Sequence, residues 1–210
     1  MIEKLKNSWK TLKRNEKLNK AYGWVLVIGG AIGIYASFVL TMDKIELLKN
    51  PNFIPDCNIN PVISCGSIIK TDQAAAFGFP NPFIGLVGFA VVVTIGVSIL
   101  SGVKYKKWIM QGLQAGSLLG VIFVHWLMFQ SLYTIGALCP YCMVVWTVTL
   151  AIFWYTLLYN FRNNVFSVKA KYKKTVDFAQ RHHLDILLTW YLIIFLLIMN
   201  RFWYYWSTLI

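Results

Sequence analysis

The sequence lacks charge over an unusually long stretch. No Asp, Glu, Lys or Arg occurs in residues 108–161 of the 210-residue chain, and charged residues make up only 13% of the whole against 58% hydrophobic residues. One helix of that length would extend about 80 Å, whereas the hydrocarbon layer of a bilayer is about 30 Å thick. The composition excludes an ordinary soluble globule, and the uncharged run must fold back on itself within a membrane.

Three other features that are rare or missing in the sequence limit the possible functions. Acidic residues number 8 against 20 Lys and Arg, but the basic residues lie in short segments between apolar runs, where membrane topology explains them and nucleic acid binding does not. No glycine-rich dinucleotide fingerprint is present, so NAD or FAD binding is not supported. The 4 cysteines are too few for a disulfide scaffold, but they form two pairs, which is enough for a thiol relay.

Five apolar runs predict membrane-spanning helices. We expect them at residues 21–42, 83 to about 100, 108 to about 130, 139 to about 159, and 186–200. The last run is short and spans only if Arg201 reaches the interface beside an aromatic belt at residues 202–206. The predicted fold is an all-α integral membrane protein: a four-helix bundle, a fifth transmembrane helix, and a long extracytoplasmic loop that contains a short interfacial helix near residues 64–76.

The polar segments divide the chain. We expect a basic leader at 1–20, a membrane domain at 21–160 that includes the loop at 43–82, a basic connector at 161–185, and the fifth helix at 186–210. The first run exceeds the apolar core of a signal peptide and has no small-residue cleavage site, which indicates a retained anchor. Sixteen of the 20 lysines and arginines fall on one side of this topology. The positive-inside rule therefore predicts a cytoplasmic N-terminus and places all the cysteines outside the cytoplasm, where disulfides persist.

Glycines recur at four-residue spacing in two of the spans. Gly29 and Gly33 lie in the first, and the third carries Gly112, Gly116 and Gly120 on one face. Such spacing is typical of helices that approach one another closely, so we expect close helix packing at both stretches.

The Cys139-Pro140-Tyr141-Cys142 motif interrupts the uncharged run. Residues 131–138 are where the run reverses, and Pro140 suits the first position of a new helix. Cys139 then becomes the N-cap, with Cys142 one turn later on the same face. The helix dipole and unpaired N–H groups favour a thiolate there, which is the form that attacks disulfides.

The second pair, Cys57 and Cys65, lies in the long loop on the same side of the membrane. A loop pair can exchange disulfides with a soluble partner and then swing to the fixed pair. The fixed pair needs an electron acceptor that is soluble in lipid, for which a quinone is the natural candidate.

The joint pattern resembles the vitamin K epoxide reductase family, and its bacterial branch most closely. The likeness covers roughly residues 20–160. It is carried by the Cys57-x7-Cys65 spacing with Ile63-Ser64, by Thr71, by Phe77-Gly78, by Pro80-Asn81 leading into a span, and by the 139–146 motif. The resemblance implies a four-helix core around a quinone. It further implies Cys142 as the thiolate nearest the quinone, Cys139 as its disulfide partner and the one that exchanges with Cys65, and Cys57 as the partner-facing cysteine. Asn81 matches the quinone-binding Asn, and Thr71 and Trp146 are further candidates for the quinone site.

Two departures from the family pattern shape the expected function. Trp146 stands where vertebrate enzymes carry a quinone-side Tyr, and its indole N–H donates but does not accept. Many bacterial relatives carry a fused thioredoxin-like domain after a fifth helix, whereas this sequence ends at Ile210, so a separate thioredoxin-fold oxidant is the expected partner.

The predicted function is therefore a thiol oxidase of the bacterial inner (plasma) membrane that passes electrons to ubiquinone or menaquinone. Two alternatives stay open: a vitamin K epoxide or quinone reductase, and a non-catalytic protein that binds a metal through its thiolates, although no metal site is predicted. Simpler interpretations of single residues also remain. Asn81 and Thr71 suit caps or turns, Trp146 suits core packing, and His125 suits a packed, hydrogen-bonded side chain.

Overall fold

A computed structural model describes the backbone of residues 2–208 and the side chains of residues 15–208, so most side chains of the predicted leader lie outside the description. The helices are α1 (Ile2–Lys49), α2 (Cys65–Ile69), α3 (Pro82–Leu100), α4 (Lys107–Phe129), α5 (Pro140–Arg162), α6 (Lys173–Arg181), α7 (His183–Arg201) and α8 (Trp203–Trp206). A π-helical turn, Gln130–Ile135, continues α4, and two 3-10 turns lie at Asp72–Ala75 and Ala170–Tyr172.

The all-α membrane fold predicted from the sequence is confirmed. Five helical segments among the described residues are long and apolar enough to cross a membrane: Asn15–Lys49, Pro82–Leu100, Lys107–Ile135, Pro140–Arg162 and His183–Arg201. The fifth helix begins three residues earlier than predicted. Its 19 residues extend about 28 Å, close to the thickness of the hydrocarbon layer.

The helices form a bundle with two distinct ends. We call the end with α2, the π-helical turn and the start of α5 the sulfur end, and the end with residues 101–106 and 163–182 the connector end. Helix α1 packs against α3 and α5, and α5 also packs against α4. Helices α3 and α4 face each other across a cavity that both of them line.

Close packing is concentrated where α1 meets α3. A Cβ atom added to Gly33 would lie 2.6 Å from the Phe89 ring, and one added to Gly30 would lie 2.6 Å from Val93 Cγ2. Gly33 therefore packs as its spacing predicted. Its predicted companion, Gly29, makes only ordinary contact with α5, because Gly30 is the residue that faces α3.

The prediction of close packing for the third span was wrong for two of its three glycines. A Cβ atom added to Gly112 or Gly116 would meet nothing within 4 Å, whereas at Gly120 it would lie 3.3 Å from Thr149 Cγ2 of α5, which is a close contact. All three glycines line the cavity. The spacing puts the glycines on one face of a helix, but it does not determine whether a helix or an open space lies opposite.

The loop starts later than predicted, because α1 continues to Lys49 instead of ending near residue 43. Leu47 lies two turns beyond Leu40, and both pack in the buried cluster that contains Cys65 and Cys139. This packing makes seven more residues helical. The predicted interfacial helix is also broken, because Thr71 is extended between α2 and the following 3-10 turn.

The chain reverses between α4 and α5 where the sequence predicted. After the π-helical turn, Gly136 takes the left-handed conformation with φ +73°, which favours glycine. Cys139 is then the N-cap of α5, and Pro140 is its first residue. Both positions agree with the prediction.

Candidate functional site

The four cysteine sulfurs lie close together at the sulfur end. Cys57 and Cys65 form a disulfide, and Cys139 Sγ lies 3.2 Å from Cys65 Sγ. The backbone N–H of Cys142 donates to Cys139 Sγ at 3.4 Å. The sequence argument expected the loop pair to swing toward the fixed pair, but in this structure Cys65 and Cys139 are already in contact.

The central sulfurs are shielded from water. Cys65 and Cys139 are fully buried, Cys57 is nearly so, and Cys142 is partly exposed. A hydrogen bond with the Cys142 thiol lowers the pKa of the Cys139 thiol, which caps the span. Backbone N–H groups of Cys142 and Tyr141 act in the same direction, and burial opposes them. Cys139 is thus poised to attack or leave as a thiolate beside Cys65.

Two asparagines hold the loop that carries the first pair. The side-chain oxygen of Asn58 accepts from Gly66 N at 2.8 Å and from Ser64 Oγ at 3.2 Å. Asn60 Oδ1 accepts from the N–H groups of Val62 and Ile63. A Cβ atom at Gly66 would lie 2.8 Å from Asn58 Nδ2, so a larger residue would displace this clamp. Neither asparagine is among the site residues predicted from the sequence.

A short parallel bridge joins the two cysteine segments. Leu138 N donates to Val62 O at 2.7 Å, and Ser64 N donates to Leu138 O at 2.8 Å. Cys65 and Cys139 each follow directly after this bridge. The backbone hydrogen bonds therefore fix the two segments side by side at the point where their sulfurs meet.

The end of α1 completes the sulfur site. Lys44 Nζ donates to Ile69 O, the carbonyl at the end of α2, at 2.9 Å, and Asp43 Oδ2 lies 3.9 Å from Cys57 Sγ. Both residues had been assigned to the loop. The seven-residue interval between Leu40 and Leu47 is the signal in the sequence that would have extended the helix to them.

A cavity of about 1280 Å³ opens beside Cys142 and runs between α3 and α4. Most of its wall is aliphatic, aromatic or glycine. Besides Cys142, its lining includes Trp146, Asn81, Gln73 and Lys44. A large apolar space with a few polar groups suits a hydrophobic ligand with a polar head.

Asn81 and Thr71 have different places in this site. Asn81 lines the cavity, and its side chain also holds the loop: Nδ2 donates to Gln73 O at 2.7 Å, and Oδ1 accepts from Ala76 N at 3.0 Å. The amide nitrogen has a second hydrogen, so Asn81 can keep these bonds and still donate to a ligand. Thr71 does not line the cavity, and its hydroxyl donates to Ile68 O.

Comparison with known proteins agrees with this arrangement. The sequence profile of the vitamin K epoxide reductase family matches residues 24–157, which contain all four cysteines, two whole spans and most of two others. The chain belongs to the vitamin K epoxide reductase family. No curated protein sequence matches the chain. Membership makes this protein a multi-pass membrane oxidoreductase.

In this vitamin K epoxide reductase family member, Trp146 lines the cavity and His125 does not. Trp146 is 4% exposed, belongs to a buried cluster with Val124 and Met128, and also lines the cavity one turn after Cys142. His125 has both ring nitrogens engaged, Nδ1 with Val121 O at 2.8 Å and Nε2 with Trp190 Nε1 at 3.2 Å. His125 is a packed side chain between α4 and α7.

The metal-binding alternative requires four thiolates. In this structure the Cys57–Cys65 bond joins two of them. Among the side chains described, no group of three or more His, Cys, Asp or Glu is arranged to hold a metal.

Proposed function

We propose that the protein is a membrane thiol oxidase that takes electrons from a reduced thioredoxin-fold protein and delivers them to a membrane quinone. One observation carries this proposal. Cys139 Sγ contacts Cys65 of the loop disulfide at 3.2 Å, while Cys142, three residues later, lines the apolar cavity. The four sulfurs therefore connect the loop to the cavity.

The first exchange takes place at the loop pair. A thiolate of the reduced donor attacks Cys57 Sγ, the Cys57–Cys65 bond breaks, and Cys65 leaves with the electron pair. The second thiolate of the donor then attacks its own mixed-disulfide sulfur and releases Cys57 as a thiolate. The donor leaves oxidised, and the loop holds two thiols. We propose that the donor dithiol belongs to a separate thioredoxin-fold protein.

The second exchange joins the two pairs. The Cys65 thiolate attacks Cys139 of the Cys139–Cys142 disulfide, and Cys142 leaves as a thiolate. Cys57 then attacks Cys65 and releases Cys139. The loop disulfide is restored, and Cys139 and Cys142 are reduced, which is the oxidation state of the cysteines in this structure.

The residues of the cavity fit a quinone. Its apolar wall suits a prenyl chain, Asn81 can donate to a ring carbonyl, and Cys142 lines the same cavity. A bound quinone accepts two electrons and two protons on becoming a quinol. The Cys139–Cys142 pair supplies both when it closes to a disulfide, and Trp146 helps to exclude water from that closure.

The topology leads us to propose a place for the protein in the cell. With the N-terminus in the cytoplasm of a bacterium, the sulfur end faces outward from the inner (plasma) membrane, and the relay supports disulfide formation there. Only four of the 20 lysines and arginines lie on the sulfur side in this topology, and the other 16 lie on the cytoplasmic side. The four are Lys44, Lys49, Lys70 and Arg201. Alkylation of single cysteines in intact cells by a membrane-impermeant reagent tests this orientation.

The test of the function compares two electron donors. Purified protein in detergent, given ubiquinone or menaquinone, should reduce the quinone when driven by a reduced thioredoxin-fold protein. Each of Cys57→Ala, Cys65→Ala, Cys139→Ala and Cys142→Ala should stop this turnover. With a small dithiol that reaches the fixed pair directly, Cys57→Ala and Cys65→Ala should retain activity.

Ser101→Ala, a small substitution at the connector end, is the matched control and should behave as wild type. No quinone reduction with either donor would refute the oxidase. Reduction of vitamin K epoxide at a rate comparable with quinone would favour the epoxide reductase alternative.

A further inference from the structure

Helix α7 exposes most of its side chains, but it is attached to the bundle by hydrogen bonds along its whole length. At the connector end Tyr155 Oη lies 3.1 Å from His183 Nδ1, and near the middle Tyr191 Oη donates to Thr147 O at 2.8 Å. At the sulfur end Arg201 Nε donates to Leu132 O at 2.9 Å. These contacts hold α7 in a defined position from one end of the bundle to the other.

The Arg201 contact lies on the turn that leads to the redox centre. Leu132 is in the π-helical turn, and the last carbonyls of a helix have no partner within the helix. A guanidinium donates a strong, charge-assisted hydrogen bond to such a carbonyl. The sequence predicts that Arg201 reaches toward the interface; in the structure its side chain is partly exposed, and its Nε donates to a carbonyl of the protein.

The next residue reinforces this attachment. Phe202 is fully buried and belongs to the same cluster as Leu132, Leu138 and Val62. Leu138 and Val62 are the residues joined by the backbone bridge that places Cys139 beside Cys65. Packing from Phe202 and the hydrogen bond from Arg201 thus act on the same short segment, residues 132–138.

We infer that Arg201 and Phe202 are positioning residues that hold residues 132–138 so that Cys139 Sγ stays against Cys65 Sγ. The fifth helix thereby contributes to transfer between the two pairs, although it carries no cysteine. The importance of the fifth helix for turnover rests on the proposed function. The claim that Arg201 and Phe202 hold Cys139 beside Cys65 does not, so the two claims can be tested separately.

The test measures the approach of the two sulfurs without quinone or donor. In a Cys57→Ser, Cys142→Ser background, the azo oxidant diamide removes two electrons and two protons from Cys65 and Cys139 and joins them as a disulfide. Trapping by alkylation and mass spectrometry gives the rate. We expect Arg201→Met to slow the reaction roughly tenfold, because small misplacements of reacting atoms have large effects on rate. Arg201→Lys, which retains a donor, should recover part of the loss.

Two controls separate positioning from general damage. Trp203→Ala alters an exposed neighbour and should leave the rate within about twofold. In a Cys57→Ser, Cys65→Ser background, Arg201→Met should not change closure of the local Cys139–Cys142 pair. If Arg201→Met does not fold, Phe202→Leu replaces it with the same expectation of slower joining.

Equal joining rates with and without the Arg201 donor would overturn the inference, as would equal slowing of both pairs. A wild-type protein that joins Cys65 to Cys139 but never reduces quinone would refute the proposed function and leave the positioning role standing.

Discussion

Helices α1 and α4 both carry closely spaced glycines, but the surroundings of these glycines differ. On α1, Gly30 and Gly33 lie so close to α3 that an added Cβ would come within 2.6 Å of a neighbouring side chain. On α4, Gly112 and Gly116 face a cavity and have no such neighbour. On α1 the missing side chain allows a helix to approach closely, and on α4 it leaves space in the cavity.

The strongest test of this contrast is Gly33→Leu. The new side chain would overlap the Phe89 ring and separate α1 from α3, which line one side of the cavity. Overpacking of this kind costs about 1–3 kcal/mol, and the overlap with the buried Phe89 ring puts Gly33 at the upper end. We expect a clear fall in the thermal unfolding temperature in detergent, with a smaller fall for Gly33→Ala. An unchanged unfolding temperature for Gly33→Leu would contradict the tight crossing.

Gly116→Leu makes the opposite prediction, because it adds a side chain of the same size to the open face. The protein should unfold at the wild-type temperature, but the KM for a long-chain quinone should rise about tenfold as the chain loses space, equivalent to about 1.4 kcal/mol. Ala115→Leu, on the same helix but outside the cavity lining, is the matched control and should leave the KM unchanged. Loss of stability without a change in KM would mean that Gly116 packs against a helix after all.

A polar residue of the cavity lining gives the smallest predicted effect. Asn81→Ala removes a donor from that lining, and a hydrogen bond worth about 1 kcal/mol corresponds to about fivefold in kcat/KM for quinone. Thr71→Val removes a hydroxyl of the same loop that does not reach the cavity, and it should leave kcat/KM unchanged. These rates are measured with the small dithiol, so that the loop pair is not involved. Equal losses in both variants would assign Asn81 a purely structural role.

Much of the fold follows from local patterns in the sequence. Uncharged runs of membrane length predict the spans, since an unpaired charge in hydrocarbon is unfavourable in any tertiary arrangement. Pro140 and the polar residues before it predict the helix start at Cys139, because proline fits the first turn of a helix. These are properties of short segments, so they can be read without knowing what lies opposite.

The site was less predictable, because its geometry depends on residues distant in the chain. Arg201 contacts Leu132, Asn81 holds Gln73, and Lys44 reaches the end of α2. Side chains of these types suit snorkelling, capping and solvated loops equally well. Which use applies depends on the carbonyl that happens to lie within reach.

By itself, the sequence determined that this is a helical membrane protein with two cysteine pairs and a thiolate-favouring helix start. Hydrophobic length, charge distribution and capping are local or additive, so order along the chain is sufficient for them. Only the tertiary structure decided that Cys65 meets Cys139, that Gly33 packs while Gly116 lines a cavity, and that the end of α7 supports the redox turn. These arrangements depend on which segments meet in space, and the residue pattern of one segment alone does not predict that.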